Sequence, residues 1–279
     1  MVKIPDSIFA QPERLANYFN PDTIQSPIIG ISAYYGKKNV HSPRAKMHSH
    51  QKGQLVYTRF GSVTVELMEH SCVVSPYQAA WIPPLVLHNT ILNGEVDFRA
   101  IYFDYSQLSE LPLNFDTFLI SPLLKEVLEV VSATPFNTDW RQGPKYHLCK
   151  VLFDELKGSA HGLSILPLPR DTRVRPYLLK KIRNGEQPPR LKELASHVGA
   201  SERTIHRLFM QETGVNYQKW RQIRRLARAI ELLSTGKSIT ETAQQLEFSS
   251  DSAFISFFRS YLDKTPKKYV NLMKNNLHL

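Results

Sequence analysis

The sequence predicts an α+β protein: an N-terminal β-barrel with flanking helices, followed by an all-α domain made of two helix-turn-helix units. Short β-branched and aromatic segments fill residues 27–103, and a helical apolar period replaces them after residue 120. A third observation is that one short pattern occurs twice between Leu191 and Tyr269. We expect the barrel domain at 1–165, a Pro- and Arg-rich linker at 166–175 and the helical domain at 176–279.

The barrel prediction rests on four segments, QLVYTRF, SVTVELM, QAAWIPP and VDFRAIYFD, which Gly, Pro or Asn residues separate. Short strands at this spacing are typical of a sandwich or barrel. Ser121–Ser132 and Pro144–Leu156 then place apolar residues at helical spacing. We expect these two helices to pack on the barrel and also to pair two subunits in a homodimer.

Charge distinguishes the two halves of the chain. Of a net charge of +10, residues 166–279 contribute 21 Lys and Arg against 10 Asp and Glu, whereas residues 1–165 hold 14 against 15. A basic half beside a neutral half predicts phosphate binding by one domain. No stretch approaches the roughly 18 apolar residues of a membrane span, the N-terminus lacks the apolar centre of a secretory signal, and cysteine is rare. These features indicate a cytoplasmic protein without membrane contact.

The first copy of the repeat reads LKELASHVGASERTIHRLFMQETG. A scaffold helix centred on Ala195 leads through Gly199 to Ser201, which is placed to cap the second helix. The outer face of that second helix carries the candidate DNA contacts Arg203, Thr204, His206 and Arg207. Because an arginine fork binds guanine bidentately, we expect Arg203 and His206 to face bases and Arg207 to lie nearer the DNA backbone.

The second copy, ITETAQQLEFSSDSAFISFFRSYLDKTP, keeps the apolar core pattern but changes the outer face. Its candidate DNA contacts are Ser250, Ser252, Ile255, Ser256 and Arg259. Isoleucine suits a thymine methyl, and hydroxyls and arginine suit phosphates. We therefore expect sequence specificity to concentrate under the first copy.

Gln218–Gly236 connects the two copies and has one continuous apolar stripe. A single long helix here would hold the two reading helices apart, and one turn of DNA, about 34 Å, is the natural separation. The outer residues Arg221, Arg224, Arg225 and Arg228 either touch phosphates or pair with acidic side chains. Both alternatives are open from sequence.

The last hundred residues resemble the AraC/XylS family of transcription regulators. The matching segments are LASHVGASERTIHRLF, ETG, RQIRRLARAIELL and AFISFFRSYLDKTPKKY. The resemblance implies that the chain binds double-stranded promoter DNA, responds to a small-molecule effector and contacts RNA polymerase as an activator or dual regulator. Two positions depart from the family pattern: Glu247 stands where a Gly-Phe pair is usual, and Asp263 stands where Gly is common.

A second set of residues, His48, His50, Gln54 and His88, looks like the ligand set of a cupin barrel, where Glu is usual at the Gln54 position. Imidazole nitrogens suit Zn, Ni or Fe, whereas glutamine brings no negative charge to a divalent ion. Three alternatives stay open: a transition-metal site, a metal-free effector pocket, or purely structural histidines. Tyr57, Trp81 and Tyr102 are candidates for lining the same pocket.

Two classes of function therefore compete. The first is an effector-responsive, sequence-specific transcription regulator. The alternative is a cupin-type metal-dependent enzyme, a dioxygenase or isomerase, with a DNA-binding appendage. Beyond the histidines we find no carboxylate base or nucleophile with a placed partner, so we expect no enzyme activity.

Overall fold

The computed structural model describes residues 2–5, 19–36, 47–76, 78–93, 95–106, 108, 111–159 and 165–275. Strands precede helices along the chain, as the predicted α+β class requires. The strands in this part of the chain are β1 Val2–Ile4, β2 Ile28–Tyr35, β3 Gly53–Phe60, β4 Val63–Leu67, β5 His70–Val74, β6 Gln78–Ile82, β7 His88–Leu92, β8 Val96–Phe103, β9 Asp116–Leu119 and β10 Leu166–Pro167.

The strands form two sheets. The larger has the order β1-β2-β8-β3-β6-β9, and the smaller has the order β10-β5-β4-β7. All pairings are antiparallel except that of β1 with β2. Fully buried side chains from both sheets, such as Ile31 on β2 and Val65 on β4, form one apolar cluster. This cluster is the interior of the predicted barrel.

Two helices, α1 Pro122–Ala133 and α2 Gly143–Gly158, cover the outer face of the larger sheet. Ser121 caps α1 by accepting a hydrogen bond from the Leu124 N–H at 3.0 Å. Gly30 on β2 allows α1 to approach closely, because a Cβ there would lie 2.0 Å from the carbonyl oxygen of Ser132. The prediction that these helices pack on the barrel is confirmed.

The C-terminal part is all-helical. Its helices are α3 Val174–Arg183, α4 Leu191–His197, α5 Glu202–Thr213, α6 Tyr217–Ser234, α7 Ile239–Gln245, α8 Asp251–Leu262 and α9 Pro266–Asn275. Helices α4 and α5 form the first helix-turn-helix unit, α7 and α8 form the second, and α6 is the long helix predicted between them. No helix in the described part of the chain combines the length and apolar character that a membrane crossing requires.

The two units differ in their turns. The scaffold helices α4 and α7 begin 48 residues apart, at Leu191 and Ile239, whereas α5 and α8 begin 49 residues apart, at Glu202 and Asp251. The second turn is therefore one residue longer. Glu247, the unusual residue of that turn, adopts the left-handed region with φ of 56°.

The range predicted as a linker contains ordered structure. Leu166 and Pro167 form β10, which pairs with β5 of the smaller sheet. Leu168 is buried among apolar side chains of the helical domain, and the indole N–H of Trp220 donates to the Pro167 carbonyl at 2.6 Å. Helix α3 begins at Val174, so the connection touches both domains along its length.

Candidate nucleic-acid interface and histidine cluster

The first unit consists of scaffold helix α4, a turn and α5, which we name the first reading helix. Gly199 in the turn has φ of 65°, a conformation that glycine adopts without a Cβ penalty. Ser201 caps the reading helix, because its Oγ accepts a hydrogen bond from the Thr204 N–H at 3.1 Å. Ile205 and Phe209 are fully buried. One face of this helix is thus fixed in the core, and the opposite face is turned to solvent.

The solvent face carries three of the predicted contacts. Arg203, His206 and Arg207 are all exposed there. Thr204 is half-buried, and its hydroxyl lies 2.9 Å from the Ser201 hydroxyl, so it takes part in the cap. The structure therefore brings two arginines and a histidine together on one accessible surface. Their contact with DNA stays a prediction.

Helix α8, the second reading helix, repeats the arrangement with different chemistry. Ser250 caps it by accepting a hydrogen bond from the Ala253 N–H at 3.1 Å, so this hydroxyl is engaged within the chain. Ser252, Ser256 and Arg259 are exposed, whereas Ile255 is half-buried. Their contact with DNA is likewise a prediction.

Two arginines of α6 are paired with an acid. Arg224 is buried and donates to one oxygen of Glu231 at 2.9 Å, and Arg228 donates to the other oxygen at 2.9 Å. The sequence left open whether these arginines touch phosphates or pair with acidic side chains, and the structure pairs Arg224 and Arg228 with an acidic side chain. Both carboxylate oxygens are satisfied, as a buried ion pair requires.

The other two arginines bind backbone carbonyls, which the sequence did not reveal. Arg221 donates from Nε to the Pro188 oxygen at 3.0 Å, ahead of the first unit. Arg225 donates from Nε to the Leu246 oxygen at 2.8 Å, and its guanidinium carbon lies 3.7 Å from the centroid of the Phe248 ring. Arg225 thus caps the second scaffold helix and stacks on the second turn.

The histidine cluster forms where β3 meets β7 and β8. The Nε2 atoms of His50 and His88 lie 3.1 and 3.0 Å from the Gln54 side-chain oxygen, and the Gln54 nitrogen lies 3.1 Å from the Tyr102 hydroxyl. These four side chains are buried. His48 is exposed, and its ring centroid lies 4.5 Å from that of His88. The structure therefore confirms that residues from separate strands converge.

Hydrogen bonds define the protonation of the two buried rings. His88 donates from Nδ1 to the Val86 oxygen at 2.8 Å, and His50 donates from Nδ1 to the Lys52 oxygen. Burial lowers the pKa of both imidazoles, that of His88 to about 3. Each ring is therefore neutral, with its single proton on Nδ1 and a lone pair on Nε2.

Those two lone pairs require donors. A half-turn of the Gln54 carboxamide exchanges its oxygen and nitrogen without changing its shape. In that orientation the NH₂ group gives one hydrogen to each ring, and the oxygen accepts from the Tyr102 hydroxyl. The carboxamide, rather than a charged group, holds the neutral cluster together.

The cluster also fits a transition metal. One nitrogen from each of His48, His50 and His88 can be chosen so that all three lie within 4.8 Å of one another. The Nδ1–H bonds to backbone carbonyls orient the two buried rings in the way that metal-binding histidines are usually held. These residues suit Zn, Ni or Fe. Among the described residues the group consists of the three histidines alone, so it has no carboxylate to balance the charge of a dication.

Two predicted pocket residues lie elsewhere. Tyr57 and Trp81 belong to the apolar cluster beneath α1 and α2, on the opposite face of the larger sheet from Gln54. Tyr57 donates to the Ser132 hydroxyl at 3.1 Å, and Trp81 donates to the Pro112 oxygen at 2.8 Å. The prediction that both line the histidine pocket is therefore corrected. Tyr102 does belong to the cluster.

The barrel and the helical domain share a buried contact that the sequence does not reveal. Val73 on β5 is buried within the apolar core of the second unit, together with Leu226 and Leu233 of α6. Beside it, the hydroxyls of Ser75 and Tyr269 lie 2.8 Å apart, and burial raises the pKa of Tyr269 to about 12. We name these contacts the β5 interface.

Comparison with known proteins identifies both halves. The family model described as the AraC-like ligand binding domain matches residues 30–132, and the model described as a helix-turn-helix domain matches residues 194–271. The chain has the two-domain architecture of AraC-type regulators. The α+β fold, the family resemblance and the DNA-binding class predicted from the sequence are thereby confirmed.

This AraC-type chain is similar over nearly its whole length to the HTH-type transcriptional regulator NimR of Escherichia coli K12, with 28% identity over 254 residues, or 91% of each chain. The structure of ToxT from Vibrio cholerae is 12% identical, covers 89% of this chain and 99% of its own, and has a TM-score of 0.36. The DNA-binding domain of AdpA, solved in complex with a target DNA, is 25% identical, covers 37% of this chain and 94% of its own, and has a TM-score of 0.35.

Proposed function

We propose that the first reading helix recognises promoter DNA by sequence and that the barrel adjusts this binding when a small molecule or metal binds to it. The observation that carries the proposal is the exposure of Arg203, His206 and Arg207 on one face of a helix whose other face is fully buried. Arginine forks bind guanine edges and phosphates. The surplus of basic residues in 166–279 adds attraction for the DNA backbone.

The second reading helix contributes less to sequence specificity in this proposal. Its exposed side chains are two serines and Arg259, and Ile255 is half-buried. Hydroxyl groups bind phosphates and several bases, so they discriminate little between sequences. We therefore assign it mainly backbone contacts, with specificity concentrated under the first reading helix.

The test is a selection followed by footprinting. Purified full-length protein is mixed with fragmented genomic DNA, the retained fragments are sequenced, and the strongest fragment is footprinted. Arg203→Ala and His206→Ala should each weaken specific binding by about 1–3 kcal/mol and relax base preference at one position. Lys180→Ala removes an exposed positive charge from α3 and is the matched control. Retained preference in both reading-helix variants would contradict the proposal.

Communication between the domains is assigned to the β5 interface. Strand β5 pairs with β4, and β4 pairs with β7 so that Leu67 lies opposite His88 of the cluster. A ligand that binds the barrel more tightly in one of two arrangements of this interface shifts the protein toward that arrangement, and it changes the DNA affinity by at most the ratio of its own two affinities.

Substitution of His48 distinguishes a metal site from a metal-free effector site. Its exposed ring completes the three-histidine group, whereas the carboxamide hydrogen bonds join Gln54 to His50 and His88. If Zn²⁺, Ni²⁺ or Fe²⁺ is the ligand, His48→Ala should abolish the rise in melting temperature that the ion causes in the wild-type protein. If the cluster serves a metal-free effector site, the chelated protein should keep its effector response in this variant.

Three further parts of the proposal have narrower support. Leu123 and Val130 are 53% and 45% exposed on one side of α1, which suits pairing of two subunits in a homodimer, and sedimentation velocity tests it. Contact with RNA polymerase and a cytoplasmic location rest on the family resemblance. The enzyme alternative has only the three histidines in its favour, so we propose a regulator without catalytic activity.

A further inference from the structure

We propose that a polar cleft on the barrel, separate from the histidine cluster, binds a basic amino acid or a closely similar cationic zwitterion. We name it the N-terminal cleft. Its charged and aromatic lining residues are Asp22, Lys52, Asp104, Asp139, Trp140 and Arg141. The inference deepens the proposed function, because it supplies a site and a chemical class for the effector.

The cleft has the size of a small-molecule site. Its volume is about 440 Å³, within the range of about 300–1,000 Å³ usual for ligand pockets. Its walls come from four parts of the chain: the short 3₁₀ turn Pro21–Thr23 and the residues after it, the residue before β3, the residue after β8, and the loop between α1 and α2. Hydrogen bonds from the Gln51 and Lys52 N–H groups to Asp22 join the first two walls.

One buried donor in the lining lacks an acceptor. Trp140 is only 3% exposed, and its indole N–H is buried without a hydrogen-bond partner in the described part of the chain. A buried N–H without a partner is unfavourable, because it has lost its hydrogen bond to water and gained none in the protein. The other two tryptophans donate to the oxygens of Pro112 and Pro167. An acceptor atom of a bound molecule in the cleft would satisfy Trp140.

The charges in the lining define the ligand further. Among the described lining residues three carboxylates face two cations, so these residues carry an excess of one negative charge. The Lys52 ammonium is committed to the Ile24 oxygen at 3.1 Å and to Asp104 at 3.6 Å. Asp139 is exposed, and carboxylates of this kind bind ammonium or guanidinium groups.

A basic amino acid matches this set of groups. Its carboxylate accepts from the Trp140 indole and the Arg141 guanidinium, and its α-ammonium and side-chain cation pair with the aspartates. The extra positive charge of such a ligand balances the excess negative charge of the cleft. An acidic or purely apolar molecule leaves that charge unbalanced or the indole unsatisfied.

The cleft also adjoins the histidine cluster. The Lys52 carbonyl that accepts from His50 Nδ1 belongs to the same residue whose N–H and ammonium bind groups of the cleft wall. A ligand that draws Asp22 or Lys52 inward therefore moves the backbone that fixes the His50 ring. Binding of a ligand in the cleft can therefore change the position of the His50 ring inside the barrel.

The test measures binding to the full-length protein in the absence of DNA. L-Arginine, L-lysine and L-ornithine are titrated by calorimetry, with L-glutamate and L-leucine as comparison probes. We expect heat of binding and a raised melting temperature with the three basic amino acids only. Trp140→Phe keeps an aromatic ring but removes the indole N–H, and it should weaken binding about five- to tenfold. Asp139→Asn should weaken it by a similar factor.

Asp154→Asn is the control, because Asp154 is exposed on α2 and is not among the lining residues of the cleft. It should bind as the wild type does. Asp139→Asn tests the site even if the Trp140 variant folds poorly, because Asp139 is exposed. The proposal is overturned if no basic amino acid binds, or if both cleft variants bind with wild-type affinity. If the wild-type protein binds a basic amino acid but retains no specific DNA fragment in the selection, only the proposed function is overturned.

Discussion

Gln54 shows how one side chain sets the state of its surroundings. Burial keeps His50 and His88 uncharged by lowering the pKa of both rings, and the Gln54 carboxamide can give a hydrogen to each neutral imidazole. The sequence placed Gln54 and the three histidines in one cluster because their spacing resembles a cupin pattern. It did not reveal the hydrogen bonds from Nδ1 to the Val86 and Lys52 carbonyls, which depend on the local path of the backbone.

Acid should destabilise the protein through His88. Its pKa is about 3 in the folded protein against about 6.5 in the unfolded chain, so the unfolded chain binds more protons between these values. The free energy of unfolding should therefore fall as pH falls below 6.5, and the contribution of His88 should be about 2 kcal/mol smaller at pH 5 than at pH 8. Urea unfolding at both pH values in the presence of a chelator measures the fall, which should be smaller in His88→Gln. Equal falls in the two proteins would contradict this assignment.

Two residues of the second unit occupy backbone conformations that suit glycine. Glu247 and Asp263 have φ of 56° and 52°, whereas Gly199 and Gly214 hold the corresponding places in the first unit at 65° and 72°. The family pattern already marked both positions as departures. The structure shows that the backbone keeps the glycine conformation although the residue has changed.

A reciprocal pair of substitutions tests this strain. Glu247→Gly should raise the free energy of unfolding by about 0.5–1 kcal/mol, because a left-handed conformation is unfavourable for a residue with a Cβ. Gly199→Ala should lower it by about 1 kcal/mol. No atom lies within 4 Å of the added Cβ, so the second change isolates the backbone effect. Urea unfolding measures both, and a destabilised Glu247→Gly protein would be the contrary result.

At the scale of the elements, helix α6 ties both units to itself. Arg221 holds the segment ahead of the first unit, and Arg225 holds the second turn. Phe248, on which Arg225 stacks, in turn packs on Phe254 of the second reading helix, with ring centroids 5.4 Å apart. The Arg225 guanidinium therefore adds to the apolar core in fixing the orientation of that reading helix relative to α6.

Arg225→Lys keeps the positive charge but removes the planar stack and the paired donors. We expect this variant to lose footprint protection on the side of the second reading helix while protection under the first persists. Overall affinity should fall by about 1–2 kcal/mol. The control is Lys237→Ala, which removes an exposed charge near the start of α7. Wild-type protection under both reading helices would show that Arg225 acts only through its charge.

The predictability of the elements depended on the signal that each one carries. The amphipathic helices were found because burial follows the helical period, and Leu226 and Ile230 are buried as expected. Strand β7 was missed because its sequence HNTIL mixes polar and apolar residues. The sequence already places Tyr57 away from the histidine pocket, because Tyr57 lies three positions from Gln54 on the same strand and side chains three apart on a strand point to opposite faces. Trp81 pairs with Leu55 and shares the face of Tyr57.

For the whole molecule, the β5 interface decides how the two domains communicate. Charge and repeats separated a neutral half from a basic half, but a contact between residues 194 positions apart leaves no periodic signal in a sequence. Val73 is 2% exposed, and Ser75 and Tyr269 are also buried. Any rearrangement of the domains must expose these groups.

Ser75→Ala removes one hydrogen bond from the interface and leaves its apolar packing in place. The loss of about 1 kcal/mol should favour by about fivefold an arrangement in which the β5 interface is separated. The ratio of DNA affinities with and without bound effector should shrink by that factor, and hydrogen exchange of β5 and α9 should accelerate. Thr64→Ala on β4 is the control, since its hydroxyl bonds Asn93 within the barrel. An unchanged affinity ratio would exclude the interface from signalling.

Strand β5 also bears on how this protein can be divided. Its ladder belongs to the smaller sheet, yet Val73 completes the core of the second helix-turn-helix unit. A fragment that begins at residue 166 would leave apolar surface on α6 uncovered, and we expect it to aggregate unless that surface is made polar. Hybrid regulators built by exchanging sensor domains should respond to their effector only when the transplanted barrel brings a matching apolar residue and hydroxyl at positions 73 and 75. The barrel and helix α6, which it covers, should therefore be transferred together when hybrid regulators are built.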